Sequence, residues 1–252
     1  MLKNIKMKKI YFFIIFIIVL SCNNADNKYS TDKKSVKDTE NNDGTITQEE
    51  FVEGKLKSKF IIKDKKRVGE GFVYYPSGKI QSKFNYVNGE LQGESYWYYE
   101  SGKIYEIKNY KKHMKDGIQK TFYEDGTLKS EVPFKNDNPL PGLKEYNNKG
   151  KLLSQAKLIL YGDDRTVYEN KYIIKCKLSE KTGKVKYYKV LKFNDNDEST
   201  IALNTKNNIG ECIIAVSRGF SLMEDVLIRA ETKTTFGNIL VLEKKFRVAI
   251  EN

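Results

Sequence analysis

The side chains able to do chemistry are few. The chain has 252 residues and one histidine, His113, set in Lys111-Lys112-His113-Met114-Lys115, which reads as an exposed loop. Histidine-dependent acid–base, nucleophilic and metal chemistry has little to work with. Asp163-Asp164 and Asp195-Asn196-Asp197-Glu198 are carboxylate groups. Paired carboxylates can hydrolyse glycosides, but in loops such residues usually build turns, and nothing in the sequence brings these two groups to one cleft. There is no phosphate loop, no G-x-S-x-G and no zinc spacing. No enzymatic activity, no cofactor and no metal is expected.

Three cysteines remain: Cys22, Cys176 and Cys212. Cys22 follows a basic stretch with Lys3, Lys6, Lys8 and Lys9, an apolar run over residues 10–20, and Ser21. A charged start, a short apolar run and a small residue form an export signal over residues 1–21. The run is short for a membrane span. Val19-Leu20-Ser21-Cys22 resembles the lipobox of bacterial lipoproteins. That resemblance implies cleavage before Cys22, acylation of its thiol and anchorage in the cell envelope through several chains. By resemblance to the sorting rule of enteric lipoproteins, Asn23 in place of aspartate implies the outer membrane where there are two membranes. With Cys22 acylated, Cys176 and Cys212 are left in an oxidising compartment, either as a disulfide or as two buried thiols.

Residues 22–50 are polar and charged, and are expected to form a flexible tether. Within them Thr39–Glu50 resembles a calcium loop of the EF-hand type, with Asn41, Asp43, Gly44, Ile46 and Glu50 in place. Thr39 stands where aspartate should begin the loop, and no amphipathic helix precedes it.

The strongest signal is a period. Glycine recurs at 54, 78, 102, 126 and 150, in steps of 24. Three places before it stand Phe51, Tyr75, Tyr99 and Tyr123; in the last copy Tyr146 lies one place further back. Lys55, Lys79, Lys103, Thr127 and Lys151 follow it, then Leu56, Ile80, Ile104, Leu128 and Leu152. A second glycine opens units at Gly69, Gly93, Gly117 and Gly142. A fixed period of this size signals stacked repeats. Aromatic-rich segments joined by turns such as Glu100-Ser101-Gly102 make each unit a β-hairpin, closed by a type I turn with a left-handed glycine. Asn88-Gly89 and Asp116-Gly117 are the expected return turns. Pro139 and Pro141 are expected to bend or bulge the sheet.

The pattern G-x-x-x-x-x-Y-x-x-G-K-[IL], from Gly69 to about Leu158, resembles the MORN-repeat variant family. A wall-associated YD-type repeat is the runner-up, without its companion motifs. The MORN resemblance implies a repeat module without catalysis, a scaffold or interaction protein linked to membranes, or an antitoxin-like protein that neutralises a specific toxin.

Strand alternation predicts an apolar, packed face with Tyr74, Ile80, Phe84, Tyr86, Tyr98, Ile104, Tyr110, Phe122, Leu128 and Phe134. The opposite face would carry Tyr75, Lys79, Trp97, Tyr99, Lys103, Tyr105, Tyr123 and Lys129. Tyrosine beside lysine suits a wet recognition surface, so Tyr75, Trp97, Tyr99, Lys103 and Tyr123 are the candidate partner-binding residues. The same tyrosines could instead only form ladders across the sheet.

From residue 165 to the end, short β-branched segments predict a β-sandwich-like domain. Candidate strands are Tyr168–Leu178, Lys184–Phe193, Ser199–Leu203, Glu211–Ser217, Val226–Thr234 and Ile239–Ile250. The fold class is therefore all-β: an antiparallel hairpin meander over 51–158, then a small sandwich. The net charge of +12 is uneven, with +9 on residues 55–157. The expected partners are the membrane through the anchor, and a protein or an anionic envelope polymer or lipid. Nucleic acid is not expected.

Overall fold

The structure is a computed structural model that describes residues 33–194, 197–217 and 219–251. The expected signal peptide, Cys22 and the first part of the tether lie outside these residues. The fold is all-β, and the described residues form three antiparallel sheets.

The first sheet is the meander. It contains β1 (Lys34–Glu40), β2 (Ile46–Val52), β3 (Lys55–Lys63), β4 (Lys66–Tyr74), β5 (Ile80–Val87), β6 (Glu90–Leu91) and β7 (Gly93–Tyr98). It continues through β8 (Ile104–Lys111), β9 (Met114–Lys115), β10 (Gly117–Phe122), β11 (Leu128–Lys135), β12 (Asn138–Pro139) and β13 (Lys144–Glu145). The tether expectation fails from Lys34 onward. Strand β1 pairs with β2 along its full length, from Lys34 opposite Val52 to Glu40 opposite Ile46. Its seven exposed residues bury little, so composition alone resembles a linker; an existing sheet edge supplies the hydrogen bonds that order it. The calcium-like segment is the end of β1, the turn at 41–45 and the start of β2. Asp43 accepts the backbone N–H of Thr45 at 3.0 Å and its hydroxyl at 2.7 Å.

Two turn types alternate. The glycine turns are as expected. The N–H of Tyr75 donates to the Lys79 carbonyl at 2.8 Å, and the N–H of Gly78 returns to Tyr75 at 2.9 Å. The same pair of bonds recurs at Tyr99–Lys103, Tyr123–Thr127 and Asn147–Lys151. Gly54 differs. It shares positive φ with Glu53, the mark of a two-residue type I′ turn. The return turns are Asp64-Lys65, Asn88-Gly89, Lys112-His113 and Asn136-Asp137, each with two positive φ values. Thus Asp116-Gly117 is not a turn. Gly117 instead lies in a widening where four residues, 116–119, face two, 108–109, between the pairs Tyr110–Lys115 and Ile107–Lys120. The same widening separates Tyr86–Leu91 from Lys83–Tyr96, and Phe134–Pro139 from Glu131–Lys144. The distortion expected from Pro139 and Pro141 is therefore one that units without proline also make.

The remaining strands form the C-terminal sandwich. They are β14 (Leu158–Arg165), β15 (Lys171–Leu178), β16 (Lys186–Asn194), β17 (Asp197–Ala202), β18 (Asn204–Lys206), β19 (Ile209–Ala215), β20 (Leu222–Lys233) and β21 (Ile239–Ile250). A short helix, α1 (Thr166–Glu169), links β14 to β15. One sheet runs β14-β15-β19-β18 and the other β17-β16-β20-β21. Ile174 and Cys176 from the first meet Val226, Ile228 and Val248 from the second in one buried core. The strand expected from Tyr168 begins three residues later, and Tyr168 lies exposed in α1. Leu158–Arg165, unassigned from sequence, is a strand whose polar end is paired across the ladder. Asp163 accepts Lys175 at 2.7 Å and Arg165 at 3.0 Å. Those two cations hold its carboxyl down to about 2.

Cys176 and Cys212 are free thiols. Cys176 stands opposite Gly210, and Cys212 opposite Ile174, so the two cysteines are diagonal neighbours. Diagonal positions lie roughly 7–8 Å apart, beyond the usual disulfide span of about 4.4–6.8 Å. The Cys176 thiol donates instead to the Gly210 carbonyl at 3.3 Å.

Candidate binding face of the repeats

A second irregularity decides which side chains share a face. In the hairpin of β4 and β5, Tyr74 opposes Ile80 while Val73 opposes Ser82, so Gln81 is one residue too many. Lys57, Tyr105 and Lys129 fill the same place in their hairpins, again in steps of 24. Such a bulge shifts the alternation beyond it. Tyr74 and Ile80, Tyr98 and Ile104, and Phe122 and Leu128 keep the first face. Phe84, Tyr86, Tyr110 and Phe134 cross to the second.

The expected apolar stripe is therefore split. The packed side is the second face, not the first. There Phe60 and Tyr86 are buried, as are Ser82, Ser95, Gln119 and Ser130, whereas Ile80 on the first face is 39% exposed. One row on the second face can be followed across the ladder: Glu50, Ser58, Val73, Ser82, Trp97, Glu106, Thr121, Ser130, Glu145. Its small members lie beside large rings. Gly71 shows how tight this is, since a Cβ there would stand 2.4 Å from the Phe60 ring.

All five candidate partner-binding residues fall on this second face. Three of them have a bonded role. Tyr75 donates its hydroxyl to the Tyr98 carbonyl at 2.6 Å, Tyr99 to Phe122 at 2.8 Å, and Tyr123 to Tyr146 at 2.9 Å. Each bond reaches 23 residues forward, so one hairpin tip is tied to the next. Trp97 packs edge-on against Phe84 at 5.4 Å, and Lys108 lies over its ring at 4.3 Å. Lys108 is also held by Glu106 at 2.8 Å. Lys103 is exposed.

Sequence reasoning missed Lys129, Phe236 and Glu145 as a junction. Lys129 lies over both Tyr123, at 5.5 Å, and Phe236, at 5.2 Å. Buried Glu145 accepts the Thr234 hydroxyl and the Asn238 amide, both at 2.7 Å. The last repeat thus closes against the β20–β21 hairpin, and Val132 and Leu143 join the sandwich core. The period that includes Lys129 gives no sign of this contact, because it joins a repeat to a domain that is not one. Sequence reasoning also missed the role of His113. The Leu91 N–H donates to its Nδ1 at 3.2 Å, and its own N–H donates to the Leu91 carbonyl at 3.0 Å. Gly89 and Asp137 make the corresponding backbone bond to Arg67 and Lys115.

Among the described residues no group of three His, Cys, Asp or Glu side chains is placed to hold a metal ion. No described helix is long and apolar enough to cross a membrane. The acidic pairs do not converge: Asp163 and Asp164 lie in β14, and Asp197 and Glu198 in β17 of the other sheet.

These features define an all-β protein whose hairpins repeat with one geometry. Residues 67–88, 91–112 and 115–136 match the family model of the MORN repeat variant, so the chain carries three consecutive copies of that repeat. Each matched segment begins at a residue that receives the bond from a return turn: Arg67, Leu91 or Lys115. No curated protein and no solved structure matches the chain. Repeats of this kind suggest a repeat-based interaction module.

Proposed function

We propose that this chain is a non-catalytic recognition module held at the bacterial cell envelope by a lipid on Cys22, and that it works through the second face of its repeats. The observation that carries this reading is the placement of Tyr75, Trp97, Tyr99, Lys103 and Tyr123 on one face, in step with the hairpins. The strip along the glycine turns has fixed tyrosine rings and exposed lysines, the composition that favours contact with a partner. The rest of that face is closed by its own rings and, at its end, by the C-terminal sandwich.

Two experiments test it. Cys22→Ala should move the chain from the membrane fraction to the soluble one; unchanged fractionation removes the lipid anchor. Crosslinking in native envelopes should lose its products when Lys79, Lys103 and Tyr105 are changed to alanine, with the melting temperature kept. Unchanged products would remove the face from recognition. A single tight stoichiometric partner among the products would favour the antitoxin-like role over a scaffold.

A further inference from the structure

We infer that the first face of the meander is a dimer interface, on which a second copy of this chain stacks face to face about a two-fold axis running along β7. This goes beyond the recognition role, which uses the other face.

An antiparallel sheet can leave one face to water, but such a face is then polar. This one is not. One row across it carries the aromatics Phe51, Tyr74, Tyr98 and Phe122 on β2, β4, β7 and β10. Leu56, Ile80, Ile104 and Leu128 fill the strands between them, and no charge interrupts the row. The rings of Phe72 and Tyr74 lie 6.4 Å apart, and those of Tyr96 and Tyr98 stack at 6.4 Å. A contiguous apolar stripe of this kind marks a contact, where hydrophobic residues scattered singly would not.

The next row on this face identifies the partner. It begins with Glu49 and Lys59 in β2 and β3, and it ends with Glu131 and Lys144 in β11 and β13. Tyr96 in β7 is its midpoint, with four residues on either side. Rotation about β7 exchanges the ends. Glu49 of one copy then meets Lys144 of the other, and Lys59 meets Glu131. Within the chain Glu49 already pairs with Lys59 at 3.6 Å, and Glu131 with Lys144 at 3.5 Å. Each end of the interface thus becomes a square of alternating charges.

The same rotation lays Tyr74 over Phe122, Ile80 over Ile104 and Leu56 over Leu128, with Tyr98 on the axis. That matching follows from the repeat. The charges do not: Lys59 and Glu131 hold the same place in their hairpins, three steps of 24 apart, yet carry opposite signs. Self-complementarity of this kind is what a two-fold contact between identical surfaces requires, and a foreign partner would not. The other acidic groups of the face are occupied at its rim. Glu70 accepts Lys83 at 2.5 Å, and Glu94 accepts the Tyr96 hydroxyl.

The size is sufficient. Nine strands at about 4.8 Å and side chains over about 14 Å of strand cover roughly 600 Å² per copy, so roughly 1,200 Å² in all, the lower end of specific interfaces. Stacking about β7 also keeps the two sets of strands within about 30° of each other, the aligned packing of paired sheets.

The test is sedimentation velocity of the full chain over a series reaching about 100 µM, within the affinity range of such interfaces. The mass should rise from one chain to two. Ile80 is 39% exposed in the single chain, so Ile80→Lys should keep the melting temperature and abolish the rise. Two double variants test the register. Glu49→Lys with Lys59→Glu keeps its in-chain pair but sets like charges across the interface, and so does Glu131→Lys with Lys144→Glu. Each should weaken self-association about tenfold, the scale of several exposed ion pairs reversed in sign. A one-to-one mixture of the two, or all four changes in one chain, should restore the dimer. A monomer across the whole series overturns the inference, whether its first face is bare or covered by another part of the chain. A dimer indifferent to Ile80→Lys or to the charge reversals overturns it as well, as does failure of the mixture to pair. None of these results touches the recognition role, whose residues lie on the other face.

Discussion

The hydroxyl of Tyr99 donates to the carbonyl of Phe122 at 2.8 Å, across the gap between two hairpin tips. Tyr75 and Tyr123 do the same one repeat away on either side. The bond continues the ladder where the paired backbones have already parted. Tyr99→Phe keeps the ring and removes the rung, leaving the Phe122 carbonyl without this donor. We expect a loss of about 0.5–1.5 kcal/mol in urea unfolding. Binding at the face should survive, since the ring remains. A variant as stable as the parent would show that the rung contributes nothing.

Trp97 has a packing role, and its truncation should show it. Its ring meets Phe84 edge-on and carries Lys108 above it. A fully buried Trp→Ala change costs about 3–5 kcal/mol; for this half-buried ring roughly half of that is expected. Unfolding of Trp97→Ala by urea measures it, and a loss within error of zero would mean that the ring is free for a partner.

Glu145 joins the last repeat to the β20–β21 hairpin. Glu145→Ala removes the acceptor of two donors and should cost about 1–3 kcal/mol. The local sign is faster hydrogen exchange at Thr234 to Asn238, where the side-chain clamp is lost. Protection unchanged at that turn would exclude the clamp.

Alkaline stability follows from two buried groups. Burial pushes the Cys176 thiol up to about 12 from 9.0, and the Tyr187 hydroxyl up to about 12 from 10.0. Above pH 9 the unfolded chain gives up protons that the folded chain keeps, so unfolding is favoured. Stability should be flat below pH 9 and fall between pH 9 and 12. Cys176→Ser should lower the overall stability and flatten the first part of that fall. A thermal unfolding series across this range decides it, and a constant melting temperature would contradict the burial.

Gly210 faces the same thiol. A Cβ there would stand 2.7 Å from both Cys176 Sγ and the Tyr187 ring. Gly210→Ala should therefore destabilise the sandwich by about 1–3 kcal/mol. Near-ultraviolet circular dichroism and urea unfolding together would register it. A neutral effect would mean that the core is looser than these distances imply.

The sequence by itself determined the repeat. A step of 24 residues, a left-handed glycine in each turn and aromatic strands permit one local solution, the hairpin, and copies of one hairpin must stack as a meander. That Tyr75, Trp97, Tyr99, Lys103 and Tyr123 share a side was also legible, since their spacing places them there whether or not the bulge is known. Tertiary structure decided the rest. The bulges at Lys57, Gln81, Tyr105 and Lys129 moved Phe84, Tyr86, Tyr110 and Phe134 to the opposite side, because one extra residue reverses alternation and leaves no mark in composition. Strand β1 forms where polarity suggested a tether, because a neighbouring edge satisfies its backbone. The cysteines stay apart because register set them on a diagonal. The closure of the last repeat by Glu145, Thr234 and Asn238 joins residues some 90 positions apart, and only the folded chain brings such distant groups within a hydrogen bond.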